Sequence, residues 1–217
     1  MNFRELPVPA LQAAKVDHHS VERFIGGIKN FKVLETPRLI MRVLALSDTP
    51  SVHEILGPPE VHKWNYLFRS GFSLEDAHEF VQAYLSGQAQ GIALCLLFTD
   101  KIKRSVLGEV HAVFDPGILA ADIGYSTLAD ENVRGKGYAT EATRAFLQGL
   151  CQIGLQHICL TAAPENIASQ HVISKLGVPQ VEDVSLQVKD VDGCMHARNL
   201  YYMGAQEWCA GAQAGLK

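Results

Sequence analysis

Runs of apolar residues along the chain follow two patterns, one typical of strands and one typical of helices. Short apolar segments of strand-forming residues predict strands, which cover residues 38–44, 92–98, 106–114, 121–128, 157–163, 181–188 and 198–203. Apolar residues at helical spacing predict helices, which cover residues 48–56, 74–85, 138–153 and 167–176. Three strands follow one another in the middle of the chain and helices separate most of the others. This order predicts a mixed α/β sheet with helices on both faces.

Glycines and changes in composition suggest where the chain divides. An apolar helix face precedes the pair Gly26-Gly27, which predicts a helical N-terminal extension over residues 1–32. Three interpretations of this extension are open: it docks on the domain, it covers a site, or it packs outside the core. Gly87 is expected to end the helix that precedes it. The main domain is expected over residues 33–208 and a flexible tail over residues 209–217.

Composition narrows the class of protein. The 217 residues are 47% hydrophobic and 19% charged, with a formal charge of −4 and no long run of one sign. These values predict an ordinary globular protein and argue against nucleic acid as a partner. The longest apolar run is too short to span a membrane, and no secretory leader is visible. Five cysteines without a CxxC pair indicate reduced thiols and a cytoplasmic location, and the histidines lack metal-ligand spacing, so no metal is predicted.

A glycine-containing turn stands between the fourth predicted strand and the helix that follows it. Its residues are Arg134, Gly135, Lys136, Gly137, Tyr138, Ala139 and Thr140. Glycines allow a close backbone approach, and free N–H groups at a helix start favour an anion such as a pyrophosphate. The P-loop sequence is absent, and Thr140 stands where a dinucleotide-binding fingerprint needs glycine. By itself, the turn predicts either a phosphate site or a tight connection without a ligand.

Three ordered blocks resemble the GNAT superfamily of N-acyltransferases, and in particular its Rim-type branch of ribosomal-protein-alanine N-acetyltransferases. The turn resembles the [QR]xxGx[GA] acyl-CoA signature, and Ile123-Gly124-Tyr125 precedes it. The block from Asn166 to Gly177 resembles NxxSxxVLEKLGF, and the block from Leu34 to Arg42 resembles ETPRLxLR. The resemblance covers about residues 33–208. It implies a fold with a central twisted, mostly antiparallel sheet, and an enzyme that transfers an acetyl group from acetyl-CoA to a primary amine.

The resemblance also implies where acetyl-CoA binds. The cofactor would lie in a V-shaped split between the strands predicted at 121–128 and 157–163. Two backbone segments would pair with the pantetheine, the turn would hold the pyrophosphate, and the start of the next helix would meet the thioester region. The residues that would pair with the pantetheine are Ser126 and Leu128. Those of the turn are Arg134, Gly135, Lys136, Gly137, Tyr138, Ala139 and Thr140, and those at the start of the next helix are Asn166 and Ser169.

The resemblance implies a general base on the strand before the turn, where this chain has Asp122. Asp is one methylene shorter than the usual Glu, so a water relay is expected. Glu109 and His111 on the preceding strand point to one face and are alternative bases. Ile173 replaces a tyrosine that protonates the leaving thiolate in many relatives, which leaves Ser169 as the hydroxyl for that role.

The acceptor is the least defined part of the reaction. The Rim-type likeness implies the N-terminal amine of a protein. Alternatives are a small amine, such as a polyamine, an amino acid or an aminoglycoside, or a domain that binds acyl-CoA without turnover. Trp64-Asn65-Tyr66 is a candidate acceptor contact, and both a monomer and a homodimer are consistent with the sequence.

Overall fold

In the residues that the structure describes, 2–64 and 71–214, eight strands form one sheet; the structure is a computed structural model. The strands are β1 (Leu34–Glu35), β2 (Leu39–Val43), β3 (Ala93–Asp100), β4 (Val106–Asp115), β5 (Ala120–Thr127), β6 (His157–Ala162), β7 (Gln180–Lys189) and β8 (Met195–Gly204). Their order is β1-β2-β3-β4-β5-β6-β8-β7, and within the described residues β5–β6 is the one parallel pair. The predicted mixed, mostly antiparallel sheet is confirmed.

Helices pack on both faces of this sheet. They are α1 (Pro9–Gln12), α2 (His18–Lys29), α3 (Thr49–Leu56), α4 (Pro59–His62), α5 (Leu74–Gln90), α6 (Tyr138–Gln152), α7 (Ile167–Leu176) and α8 (Ala205–Ala214). The four predicted helices correspond to α3, α5, α6 and α7. Among the described helices, none is both long enough and apolar enough to cross a bilayer.

Strand β3 shows how the sheet divides the core. Leu94 and Leu96 pack in a cluster with residues of α6 and α7, on the side that we call the α6 face. Cys95 and Leu97 alternate with them and pack against α3 and α5, on the side that we call the α5 face. Because both sides of β3 are buried, its apolar residues form a continuous run without alternation.

The N-terminal segment is part of the core. Phe24 and Ile28 of α2 are fully buried in the cluster of the α6 face. The segment 3–11 covers another part of the sheet, where its buried side chains pack with Ala120 and Cys159. The alternative that this extension packs outside the core is therefore wrong, since both its pieces bury apolar side chains that the sheet needs to cover.

At two places where glycines suggested the end of a helix, the helix continues through them. Helix α2 runs through Gly26-Gly27, and a Cβ at Gly27 would stand 2.6 Å from Ile153 Cβ. Helix α5 runs past Gly87, where a Cβ would stand 2.6 Å from Ala93 Cβ, and ends at Gly91, which has a φ of 79°. Gly27 and Gly87 therefore allow close packing, and of these glycines only the left-handed Gly91 ends a helix.

The C-terminal region differs from the flexible tail expected from residue 209. Helix α8 spans Ala205–Ala214, so the predicted boundary at residues 208/209 falls inside it. Trp208 is 2% exposed, and its indole N–H donates to Leu176 O at 2.8 Å, at the end of α7. The small residues that suggested a frayed tail instead continue a helix that a buried tryptophan anchors.

Candidate active site

Strands β5 and β6 pair over three residues and then separate. Residues 120–122 of β5 pair with residues 157–159 of β6. Farther along, β5 stays paired with β4 as far as Thr127, and β6 stays paired with β8 as far as Ala162. The two strands therefore form a V-shaped split with its apex at Asp122.

The backbone that faces the split belongs to alternate residues of β5. Leu128 donates its N–H to Leu107 O at 3.0 Å, away from the split. Backbone polar groups change sides at each residue of a strand, so those of Ser126 also point to β4. The groups of Tyr125 and Thr127 point into the split. The prediction that Ser126 and Leu128 present their backbone to the pantetheine is therefore wrong, because it set the alternation one residue out of phase.

The turn before α6 leaves the first N–H groups of that helix without a side-chain cap. Gly135 and Gly137 have φ angles of 73° and 81°, in the left-handed region that glycine tolerates. Gly137 is the N-cap residue, and a Cβ at Gly135 would meet nothing within 4 Å. The amides of residues 138–140, the helix dipole and the side chains of Arg134 and Lys136 therefore fit a pyrophosphate.

The segment before β2 holds this turn in place. The Glu141 carboxylate accepts hydrogen bonds from Thr36 Oγ1 at 2.5 Å and from Arg38 Nε at 2.6 Å. Arg38 also donates to Lys136 O at 3.0 Å, and its guanidinium lies 4.4 Å from the centre of the Tyr138 ring. The block from Leu34 to Arg42 thus contacts the turn directly, which explains in physical terms why the two sequence blocks occur together.

A pair of hydroxyl groups joins β5 to the start of α7. Asn166 is the N-cap of α7, and its Oδ1 accepts the N–H of Ser169 at 3.1 Å. The Tyr125 hydroxyl lies 2.9 Å from Ser169 Oγ and donates to Ser169 O at 3.1 Å. Sequence reasoning missed this role of Tyr125, although the residue belongs to a quoted block. Ile173, in contrast, is buried and offers no hydroxyl.

Two titratable side chains of β4 form a pair on the α5 face. His111 Nδ1 lies 2.8 Å from Glu109 Oε2, and Cys95 Sγ donates to the same oxygen at 3.6 Å. Glu109 is fully buried, whereas 21% of the His111 side chain is exposed. His111 pairs in register with Gly124, where a Cβ would stand 2.2 Å from His111 Nε2. The imidazole therefore lies over β5, two residues beyond the apex of the split.

Burial and neighbouring charges change the pKa values of two of the candidate bases, His111 and Asp122. Burial lowers the pKa of His111, but the charge and hydrogen bond of Glu109, with the charge of Asp122, outweigh burial and raise it. Burial raises the pKa of Asp122, and the nearby His111 and Arg198 only partly offset that effect. Arg198 also donates to Thr161 O at 3.1 Å. At neutral pH, the imidazole is thus the group better poised to exchange a proton.

Aromatic side chains of α5 border His111 and were not predicted from the sequence. The ring centres of Tyr84 and Phe80 lie 5.5 Å and 6.3 Å from that of His111. Of the candidate contact Trp64-Asn65-Tyr66, the last two residues lie outside the described part of the chain. In residues 2–64 and 71–214, no group of three or more His, Cys, Asp or Glu side chains is arranged so that it could hold a metal ion.

Comparison with known proteins identifies the class of protein that carries this site. The model of the acetyltransferase (GNAT) domain matches residues 38–179, which is more than half of the chain. The chain therefore belongs to the GNAT acetyltransferase family, and it is an acyltransferase. The uncharacterized N-acetyltransferase YnaD of Bacillus subtilis (strain 168) is 32% identical over 146 residues, which are 67% of this chain and 81% of that protein. The resemblance drawn from the sequence blocks is confirmed.

Solved structures support the same fold. An acetyltransferase of Salmonella typhimurium that modifies the N-terminal serine of a 50S ribosomal subunit protein superposes with a TM-score of 0.69 and 19% identity; the match covers 80% of this chain and 99% of that one. The ribosomal protein acetyltransferase RimL in complex with coenzyme A gives a TM-score of 0.67 and 20% identity, over 80% of this chain and 98% of that one. These TM-scores establish the shared fold.

Proposed function

We propose that this acyltransferase acetylates the N-terminal amine of a protein or peptide, with acetyl-CoA as donor and His111 as general base. The observation that carries the proposal is the Glu109–His111 pair, which lies over β5 just beyond the apex of the split. A base at this position reaches an amine that approaches from the α5 face.

The residues of the split and the turn fit the donor. The backbone of Tyr125 and Thr127 is free of β6 and faces the pantetheine path, and the amides of residues 138–140 face the pyrophosphate. This arrangement supports a pose with the phosphates at the wide end of the split and the thioester toward Asp122. When bound, acetyl-CoA supplies an acyl group that is activated as a thioester.

Geometry favours His111 over the two other candidate bases. If Nδ1 carries the proton and donates it to Glu109 Oε2, then Nε2 has a free lone pair beside Gly124. Glu109 is fully buried and acts on the acceptor only through the imidazole. Asp122 lies at the apex of the split, where β5 is still paired with β6, and its charge helps to raise the pKa of His111, so we assign it the role of tuning His111 by charge. His111 therefore accepts the proton that the amine loses.

The properties of His111 also favour one class of acceptor. An α-amino group has a pKa of about 8, whereas a lysine side chain has one of about 10.4. A histidine with a raised pKa suits the α-amino group better, because removing a proton from the ammonium group of lower pKa needs less driving force. The activity described for the Salmonella typhimurium enzyme, on an N-terminal serine, supports the same class.

The thiols support a cytoplasmic setting as part of this proposal. All five cysteines are free, and Cys194 is exposed. Exposed thiols stay reduced in the cytoplasm, where glutathione and thioredoxin act on them.

The test uses two peptides of one sequence that contains a lysine, one with a free and one with a blocked N-terminus. Each is incubated with the protein and acetyl-CoA, and thiol release and product mass are followed beside a polyamine, an amino acid and an aminoglycoside. We expect acetylation of the free N-terminus and none of the blocked peptide. Turnover only on a small amine would refute the acceptor class. Binding of CoA without turnover on any amine would indicate a binding module, and no binding would refute the whole proposal.

A further inference from the structure

We propose that Tyr125 is a positioning residue, which directs the hydroxyl of Ser169 toward the sulfur that leaves the acyl group. This inference rests on the proposed function, because it assigns a role within the same reaction. It concerns departure of the thiol, whereas the Glu109–His111 pair concerns deprotonation of the amine. The two roles lie on opposite faces of β5.

The location of Tyr125 allows this role. Alternation along β5 places Tyr125 on the α6 face, while its own backbone borders the split. Its hydroxyl reaches Ser169 in the first turn of α7, with 2.9 Å between the two oxygens. A side chain of the strand that lines one edge of the split therefore contacts the helix that follows the other edge.

The hydroxyl pair has two arrangements of its hydrogens. In the first, Tyr125 donates to the backbone O of Ser169 at 3.1 Å, and Ser169 Oγ donates back to the phenol. In the second, Tyr125 donates to Ser169 Oγ, and the serine hydrogen is free to point elsewhere. Only the second arrangement lets Ser169 donate to a sulfur in the split.

The chemistry needs this donor at one moment. The bond between the acyl carbon and sulfur breaks, and its electron pair stays on sulfur. A hydrogen bond from Ser169 then stabilises the developing negative charge. Burial raises the pKa of Tyr125, so the phenol keeps its proton and acts through the serine as a hydrogen-bond donor rather than as an acid.

The test compares wild type with Tyr125→Phe, Ser169→Ala and the double variant. We expect Tyr125→Phe to lower kcat about tenfold, which corresponds to one good hydrogen bond, with little change in the KM for acetyl-CoA. The double variant should be no slower than Ser169→Ala, because one residue acts through the other. The thiol pKa of bound CoA, titrated by thiolate absorbance, should rise in both single variants. A role in packing alone would leave that thiol pKa unchanged.

Tyr201→Phe is the matched control, since Tyr201 is another buried phenol of the sheet, on strand β8, which β6 separates from β5. It should leave kcat and the thiol pKa unchanged. Equal effects of Tyr125→Phe and Tyr201→Phe, additive losses in the double variant, or an unchanged thiol pKa would each overturn the inference. In those cases wild-type turnover on the free peptide would still stand, so failure here is distinct from failure of the proposed function.

Discussion

Two clusters of polar groups on opposite sides of strand β5 differ in how far their hydrogen-bonding groups are satisfied. On the α6 face, the Glu141 carboxylate accepts hydrogen bonds from Thr36 and Arg38, and the hydroxyls of Tyr125 and Ser169 bond to each other. On the α5 face, Glu109 Oε1 is buried and has no hydrogen-bond partner in the described part of the chain. Buried polar atoms without a partner are rare in folded proteins and call for a physical explanation.

Under the proposed function, this difference indicates that the acetyl-CoA site at the turn (the donor side) is preformed, whereas the amine site on the α5 face (the acceptor side) is completed by its ligand. The turn is held by side chains that are already bonded to one another, so binding of the phosphates requires little reorganisation. The unsatisfied oxygen of Glu109, Oε1, is buried, so a water that accompanies the acceptor would supply its missing donor. Variants that affect one side alone should therefore separate donor binding from acetyl transfer.

The largest effect is expected from His111→Gln. Loss of the general base should lower kcat by about 100-fold or more, because general base catalysis contributes 10²–10⁴ in rate. CoA affinity, measured by calorimetry, should stay within about twofold of wild type, since a change on the α5 face leaves the turn intact.

His196→Gln is the control for this variant. His196 is also a strand histidine paired with a carboxylate, with 2.7 Å between its Nε2 and Asp190 Oδ2, but it lies near the tip of the β7–β8 hairpin. Its replacement should leave kcat near the wild-type value. If His111→Gln retained most of its activity, the base would have to be sought elsewhere, with Asp122 as the first candidate.

Gly137→Asp should have the next largest effect, on the donor side alone. The new carboxylate would lie at the N-terminus of α6, near the Arg38 guanidinium, and would occupy the place of the pyrophosphate. Like charges about 4 Å apart near a protein surface repel by several kcal/mol, so CoA affinity should fall at least about 100-fold.

Gly137→Ala has the same left-handed backbone but no charge, and it provides the matched control. It should weaken CoA binding by only about fivefold, the cost of a non-glycine residue at positive φ. Equal losses in the two variants would mean that backbone strain, rather than occupation of an anion site, explains the effect. Normal CoA binding by Gly137→Asp would show that the turn had been assigned incorrectly.

Sequence reasoning located the turn and the helix starts around the split because their determinants are local. A turn with two glycines, the helix after it and an Asn N-cap each lie within a few residues of chain, and a motif records them directly. The error over Ser126 and Leu128 has an equally local cause. Sequence shows that a strand alternates, but which residues face β4 depends on the hydrogen-bond register, which the Leu128–Leu107 bond reveals.

The acceptor side was harder to predict because distant parts of the chain meet there. The pair of Glu109 and His111 was recognised as sharing a face, since they are two residues apart on one strand. Their aromatic neighbours Phe80 and Tyr84 lie on a helix that precedes the strand by many residues, and no periodicity connects the two. Interior glycines such as Gly87 misled for the same reason, because the close contact that requires glycine is made with a residue outside the helix.

A smaller effect, but one specific to the α5 face, is expected from Glu109→Gln. Activity should rise with pH as His111 loses its proton, at a pKa above its ordinary value because of the Glu109 charge. Without that charge the pKa of His111 falls, so the rise in kcat/KM should move to lower pH. At high pH the variant should be slower, because the less basic imidazole is a weaker base. The same profile in both proteins would contradict the role of the pair.

The smallest effect is expected from Thr36→Val, which acts on the donor side through the Glu141 carboxylate. The variant removes the 2.5 Å hydrogen bond from Thr36 Oγ1 and should destabilise the fold by about 1–2 kcal/mol. CoA affinity should fall about threefold, because Arg38 still holds Glu141 and the turn.

The pH dependence of that stability loss provides a further check. Burial raises the pKa of Glu141, but hydrogen bonds from Thr36 and Arg38 outweigh burial and lower it. A lowered folded-state pKa stabilises the protein above the unfolded value, and this stabilisation is lost as the pH falls through the folded value. The gap in unfolding free energy between wild type and Thr36→Val should therefore narrow at acid pH. Thr99→Val, which removes a hydrogen bond to Ile40 O, should show no such narrowing because no carboxylate is involved. A gap that stayed constant down to low pH would mean that Thr36 stabilises the turn by packing instead of through Glu141.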